Sequence, residues 1–212
     1  MKKGLLIILS GFSGSGKGTA VRKLLEKYPE DYILSVSATT RQPREGEVHG
    51  VHYFFCEEEE FREMIVTDSL LEYAGYVGHY YGTPRAFVET ALEEGKDVIL
   101  EIEIQGALKV KEKFPDAVLL FMTPPTVSEL KARLTGRGTE TEEVIAGRLA
   151  RAIEEADGCE AYDYLIINDN IDECVEELHQ LIRAEHKSMA RNAETIERIR
   201  KELSEYQKGE MK

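Results

Sequence analysis

The chain has 212 residues, 42% of them apolar and 32% charged, and carries a formal net charge of −13. That length and balance suit a globular protein with one good core and small appendages. The negative charge argues against nucleic acid or an anionic membrane surface as a general partner, so any bound anion needs a local cluster of basic residues.

Three cysteines, Cys56, Cys159 and Cys174, form no CxxC spacing, and a reduced, cytoplasmic setting is the simplest expectation. Lys2-Lys3 ahead of Leu5–Leu9 imitates the start of a signal peptide, but the apolar run is short and a glycine loop interrupts it. No later stretch approaches transmembrane length.

The first predicted element is a buried strand over residues 5–10, followed by the loop GFSGSGKGT and a helix over 19–28 with Val21, Leu24 and Leu25 on one face. Short strands are predicted at 32–37 and 51–56, and a helix at 57–68 with Phe61, Met64 and Ile65. Residues 70–76 and 78–82 read as a hairpin-like pair. A helix over 83–94 has Pro84 in its first turn and Gly95 at its end. A strong strand over 97–104 precedes a helix over 105–114, and a buried strand over 117–122 is closed by Pro124-Pro125. Helices at 127–134 and 141–157 flank the turn TGRGTE. A last strand spans 164–167, and Asp172 is placed to cap a long helix. Strands alternating with helices predict an α/β fold with a central parallel sheet. Residues 38–82 break the alternation and read as a small insertion at the sheet's carboxyl edge, where such folds bind ligands.

Gly11-x-x-x-x-Gly16-Lys17, between a strand and a helix, matches a phosphate-binding loop. Glycines let successive N–H groups turn inward as an anion nest, the helix presents its positive end, and Lys17 adds a mobile charge for the β- and γ-phosphates. Gly18 stands where the standard pattern has a hydroxyl that ligates Mg²⁺, and the hydroxyl comes one residue later, on Thr19. A bound Mg²⁺ is therefore expected to be held by water, phosphate oxygens and a carboxylate from elsewhere. In SVSATTRQPREGEVHGVHY, Arg41 and Arg44 flank Pro43, and two guanidiniums so presented suit a phosphate monoester. Taken alone they read more readily as two solvated surface arginines.

The loop and this segment, continued in LLEYAGYVGHYYGTPR, DVILEIEIQGA, LKARLTGRGTETEE and DYLIINDN, resemble guanylate kinases from about Gly4 to Glu185. The resemblance implies a P-loop three-layer fold with a core over 1–36, 93–126 and 159–190, a GMP-binding region over 37–92, a helical lid over 127–158 and an added tail over 191–212. It implies ATP and GMP as ligands, with Mg²⁺ accompanying ATP. Gly11, Phe12, Ser13, Gly14, Ser15, Gly16, Lys17, Gly18 and Thr19 match the ATP-binding loop. Arg133, Arg137 and Arg148 match lid arginines, Arg148 also facing GMP, and Asn168 matches a position near adenine. Arg41, Arg44, Tyr53 and Tyr81 match the GMP-phosphate site; Ser37, Glu72 and Thr83 match guanine readers. Lys17, Arg41, Arg137 and Arg148 are the implied catalytic residues. A carboxylate at Glu72 suits guanine, whose N1–H and 2-amino group are adjacent donors that adenine lacks.

By strand alternation, Glu101 and Glu103 are expected to share one face at the end of their strand, Glu101 serving Mg²⁺ and Glu103 facing GMP. The family pattern usually has Asp in the second place, so Glu103 is one methylene longer. Two rival readings are a kinase for another small phosphate on the same fold and a non-catalytic module of this family. Lys17 and the lid arginines speak against the second, and Ser37, Glu72 and Thr83 speak against the first.

Beyond Glu185 the resemblance ends. Met189, Ile196 and Leu203, with Asn192, Ile199 and Tyr206, form an a/d stripe too short for a convincing coiled coil. The stripe either packs on its own domain or frays in solution, or it joins copies into a homo-oligomer. Truncation after Ala190 is expected to leave GMP kinase activity intact, because every implied site residue precedes Asp169. Light scattering on the full and truncated chains reports the subunit number; an unchanged value excludes the tail as the oligomer contact.

Overall fold

The structure is a computed structural model that describes residues 3–76, 78–135 and 142–207. Two compact units divide the chain, residues 1–175 and 176–212. In the first, β1 (Leu6–Gly11), β2 (Tyr32–Leu34), β7 (Asp97–Glu101), β8 (Val118–Thr123) and β9 (Tyr164–Ile167) form a parallel sheet in the order β2-β7-β1-β8-β9. The central strands β1, β7 and β8 are continuous apolar runs because both faces are covered. α1 (Lys17–Lys27), α3 (Arg85–Glu93), α4 (Ile104–Lys113) and α5 (Val127–Thr135) follow the strands or their insertions, and α6 is Glu142–Ala156. Leu6, Ile8, Val98, Leu100 and Leu119 of the sheet meet Val88, Leu92, Ala107 and Val110 of α3 and α4 in the main core.

A second sheet has the order β4-β3-β6-β5, built from β3 (Ala38–Thr39), β4 (Phe54–Phe55), β5 (Leu70–Tyr76) and β6 (His79–Pro84). It encloses its own small core of Ala38, Phe61 and Leu70 with α2 (Glu58–Val66). Residues 38–82 thus form the insertion that the broken alternation predicts.

Three local expectations are corrected. The 97–104 strand ends at Glu101, because Ser10 Oγ donates to Ile102 O at 2.7 Å and takes that carbonyl from the sheet ladder. Ile104 is instead the first residue of α4, so Glu101 and Glu103 do not share a strand face. The 51–56 strand shrinks to two residues, and the short β3 goes unforeseen. The cap of α7 (Ile171–Glu185) is Asn170, whose Oδ1 accepts from the N–H groups of Asp172 at 2.9 Å and Glu173 at 3.3 Å. Asp172 lies in the first turn and pairs with Lys23 at 2.5 Å.

In the second unit, a 3₁₀ turn (Ala190–Asn192) leads into α8 (Ala193–Gln207). Asn192 Nδ2 donates to His186 O and Ser188 O at 3.0 and 2.7 Å, fixing the entry to the helix. The predicted apolar stripe is open to solvent at Met189, Ile199, Leu203 and Tyr206. Asn170→Ala should lower the unfolding free energy by about 1 kcal/mol, and Asp172→Ala by less than about 0.5 kcal/mol, in chemical denaturation.

Candidate active site

The loop after β1 turns through three glycines with positive φ, Gly11 (150°), Gly14 (90°) and Gly16 (96°). Packing also requires glycine at two of them. A Cβ on Gly11 would stand 2.0 Å from Met122 O of β8, and one on Gly16 would stand 2.3 Å from Asn168 Nδ2. Ser15 N–H closes a turn onto Phe12 O at 3.0 Å, and Ala20 N–H takes up Gly16 O at the start of α1. The first N–H groups of α1 therefore face the loop's concavity, with the positive end of the helix dipole behind them. Lys17 bends back over this cradle, its Nζ donating to Gly11 O at 2.7 Å and Phe12 O at 3.1 Å.

Other elements brace and cover the loop. Asn168, buried after β9, donates from Nδ2 to Ser15 O at 2.8 Å. Its amide holds the loop's backbone, a task that the expectation of adenine proximity did not include. Arg133 of α5 donates to Asn168 O at 2.9 Å and to Glu129 Oε1 at 2.9 Å. Phe12 packs with Leu130, Leu134, Leu149 and Ala152, so the predicted lid helices rest on the loop. Arg148 of α6 donates to Ser13 Oγ at 3.1 Å, directly over it. Arg137 lies outside the described residues.

Glu101, at the end of β7, faces the loop. Its Oε2 lies 3.5 Å from where a Cβ on Gly18 would be. A carboxylate thus borders the place from which the usual hydroxyl would project, while Thr19 is exposed on α1. Solvent reaches Glu101, yet the protein around it desolvates the carboxyl enough to raise its pKa, with Lys17 opposing. Among the described residues no three His, Cys, Asp or Glu side chains could hold a metal together. One carboxylate beside a phosphate cradle does fit Mg²⁺, which keeps most of its waters and binds through phosphate oxygens.

The second sheet supplies a basic pocket. Arg41 forms a bidentate pair with Glu47, Nη1–Oε2 and Nη2–Oε1 both 2.9 Å, and its guanidinium lies 5.3 Å from the Tyr53 ring centroid. Tyr53 meets Tyr81 edge-on at 6.1 Å. The Arg41 guanidinium, with the Arg44 N–H that donates at 2.7 Å, holds the Glu47 carboxyl down at about 2. Arg44 itself points into solvent. Glu47 was not foreseen as a site residue. Its place six residues after Arg41, in the same glycine-containing turn, is the only signal the sequence offers.

Glu72 and Thr83 meet beyond this pocket, Thr83 Oγ1 donating to Glu72 Oε1 at 2.8 Å, both residues buried. A β-bulge brings them together. Between the pairs Leu70–Pro84 and Tyr73–Gly82, Leu71 and Glu72 stand opposite Thr83 alone, and both turn inward. Ser37 lies where β2 leads to β3, its carbonyl accepting from Phe54 N–H at 2.9 Å. Burial pushes the Glu72 carboxyl up, the Thr83 hydroxyl and Lys109 oppose this, Glu103 adds to it and Lys113 again opposes. Glu101 borders the phosphate loop, whereas Glu103, the N-cap residue of α4, acts on the Glu72 carboxyl through its charge. Burial pushes the Tyr53 phenol up, Arg41 opposes this, and the charges of Tyr81, Glu47 and Glu101 add to it.

A parallel sheet with a phosphate cradle at its carboxyl edge, facing a basic acceptor pocket, defines a P-loop phosphotransferase. The family model for guanylate kinase matches residues 3–185. A guanylate kinase of Caldanaerobacter subterraneus subsp. tengcongensis is 53% identical over 201 residues, covering 95% of this chain and 97% of that protein. One from Bacillus anthracis is 54% identical over 185 residues, covering 87% and 90%. The crystal structure of guanylate kinase from Anaplasma phagocytophilum superposes with a TM-score of 0.72 at 33% identity over 90% of both chains. The chain belongs to the guanylate kinase family.

The buried Glu72 carboxyl generates a prediction with opposite signs for stability and function. Its folded pKa lies above the ordinary value of 4.5, so its contribution to stability is full below that value and is lost as pH rises through the raised one. Glu72→Gln keeps the Thr83 bond and removes the buried charge. At pH 7 its thermal midpoint should equal or exceed that of the parent, while kcat/KM for GMP falls by about 1–3 kcal/mol and selectivity over AMP narrows.

Proposed function

We infer that the chain transfers the γ-phosphoryl group of ATP to GMP, giving ADP and GDP, with dGMP as a further acceptor. The observation that carries the guanine reading is the buried Glu72–Thr83 pair at the bulge of the acceptor sheet. A carboxylate held there by one hydroxyl keeps acceptor capacity for guanine's adjacent N1–H and 2-amino donors. Adenine offers no such pair of donors and would leave the buried oxygens unmatched. Ser37 precedes Ala38, which pairs with Gly82 next to Thr83, and Glu103 adds its charge to the Glu72 environment.

Arg41, with Arg44, Tyr53 and Tyr81, receives the GMP phosphate. The guanidinium exchanges the Glu47 carboxylate for the phosphate, a like-for-like bidentate partner. The loop Gly11–Thr19 receives the ATP phosphates, and Lys17 leaves its carbonyl partners to meet them. Arg133, Arg137 and Arg148 complete the donor side from the lid, and Asn168 keeps the loop in register. Mg²⁺ accompanying ATP, with Glu101 as its nearest carboxylate, adds positive charge at the phosphate oxygens when bound. No general base is required, since a nucleotide phosphate is already ionised at neutral pH. Catalysis rests on alignment, water exclusion and positive charge around the transferring group.

Among the described residues no helix is long and apolar enough to cross a membrane. The three cysteines form no disulfide, which supports a reducing, cytoplasmic setting. The exposed stripe of α8 supports self-association of the chain.

A coupled assay across GMP, dGMP, AMP, UMP and a ribose bisphosphate tests the reaction. GMP should exceed AMP by orders of magnitude, and comparable rates for any non-guanine acceptor would overturn the reading. Lys17→Ala should lower kcat at least about 100-fold with the fold intact by circular dichroism, because its charge acts chiefly as the γ-phosphoryl group departs.

A further inference from the structure

Gly106 is the third residue of α4 and is buried. Its φ is not positive, so the backbone makes no demand for glycine. Glycine is also the poorest helix former after proline, and alanine would serve the helix better. The reason for glycine lies across the pocket. A Cβ on Gly106 would stand 3.0 Å from Glu72 Oε2 and 3.4 Å from Glu72 Cδ, with Ile102 Cδ1 at 3.5 Å. The bare Cα is what lets the carboxylate come up against the first turn of α4.

That approach has a physical benefit. Intrahelical bonding in α4 begins with Ala107 N–H to Glu103 O at 2.9 Å, so the N–H groups of Ile104, Gln105 and Gly106 have no partner within the helix. The positive end of the helix thus faces a buried carboxylate. Oε1 is tied to Thr83, whereas Oε2 is the oxygen against Gly106. The position of the carboxylate is therefore fixed from two sides, by a hydroxyl on β6 and by a missing methyl on α4.

We propose that Gly106 is a positioning residue for guanine selectivity: its lack of a side chain sets where the Glu72 carboxylate stands. The proposal rests on Glu72 as the guanine reader. A methyl at this position meets the far end of a flexible side chain, not backbone, so the fold absorbs it by moving the carboxylate a few tenths of an ångström. Two hydrogen bonds to guanine and one from Thr83 converge on that carboxylate, and all three are distance-sensitive. The donor site, built on β1 and α1, has no contact with the change.

The test is Gly106→Ala in the full-length enzyme, read by calorimetric GMP binding, KM for ATP and GMP, the GMP-to-AMP ratio of kcat/KM, and thermal unfolding. The expected result is GMP binding and kcat/KM weakened about tenfold, a narrowed GMP-to-AMP ratio, KM for ATP within about twofold, and an unfolding midpoint equal or higher. In a Glu72→Ala background, where no carboxylate remains to be displaced, Gly106→Ala should change GMP binding by less than about twofold. GMP affinity unchanged by Gly106→Ala, or an undiminished loss in the Glu72→Ala background, overturns the proposal. A parallel loss of ATP affinity or of thermal stability marks a structural role and overturns it too. If Glu72→Ala alone leaves the GMP-to-AMP ratio unchanged, the guanine-reading role of Glu72 falls, and this proposal with it. If Glu72→Ala lowers that ratio and Gly106→Ala does not, only the present proposal falls.

Discussion

The hydrogen bond from Ser10 Oγ to Ile102 O, 2.7 Å long, decides how the donor and acceptor halves of the site are joined. Ser10 sits at the end of β1, one residue before the first glycine of the phosphate loop, and its partner lies two residues before α4, the helix that carries Gly106. By capturing that carbonyl it ends β7 at Glu101 and releases the chain into α4. Glu101 then faces the phosphate loop, while Glu103, two residues on, is the N-cap residue of α4. Had the strand continued, both acids would project from one face and repel across a short gap. Ending it at Glu101 parts the two acids, and the same short segment carries both.

The chain's net charge of −13 makes the basic character of the site a local construction. Cations there are held by acceptors of the protein itself. Arg41 grips Glu47, Lys17 donates to two loop carbonyls, and Arg148 reaches Ser13. Glu47 offers Arg41 the paired oxygens and charge of a phosphate edge, and Arg41 in turn holds its carboxyl down at about 2. Guanidinium and ammonium groups are thereby kept in place by hydrogen bonds, which in the proposed reaction the substrate phosphates would take over. Ordering losses on binding are correspondingly reduced.

The parallel sheet, the phosphate loop and the insertion were legible because each rests on local rules: continuous apolar runs, glycine at turns, and broken alternation. Lys17, Arg41 and Thr83 stand where the sequence motifs lead one to look. The features that escaped are those that depend on a second segment. Period-two alternation in DVILEIEI continues through Ile104, and only the distant Ser10 reveals that the strand stops at Glu101. The bulge at Leu71–Glu72 needs the register of β6 to be seen. Asn170 and Asp172 are both good caps by composition, and geometry chooses the first. The resemblance sets Asn168 near adenine, and it says nothing of the bond by which the Asn168 amide also holds the loop.

This last contact shows how the two ends of the first unit are tied. Gly16 has room for no side chain because Asn168 Nδ2 occupies the space a Cβ would fill, 2.3 Å away. Asn168 in turn offers its carbonyl to Arg133 of the lid helix α5. The glycine-rich loop has little side-chain packing of its own beyond Phe12, so its shape depends on such external bonds. Arg133, Asn168 and Ser15 thus form a hydrogen-bonded chain from α5 to the phosphate loop, which runs beside the direct contacts of Phe12 with Leu130 and Leu134 and of Arg148 with Ser13.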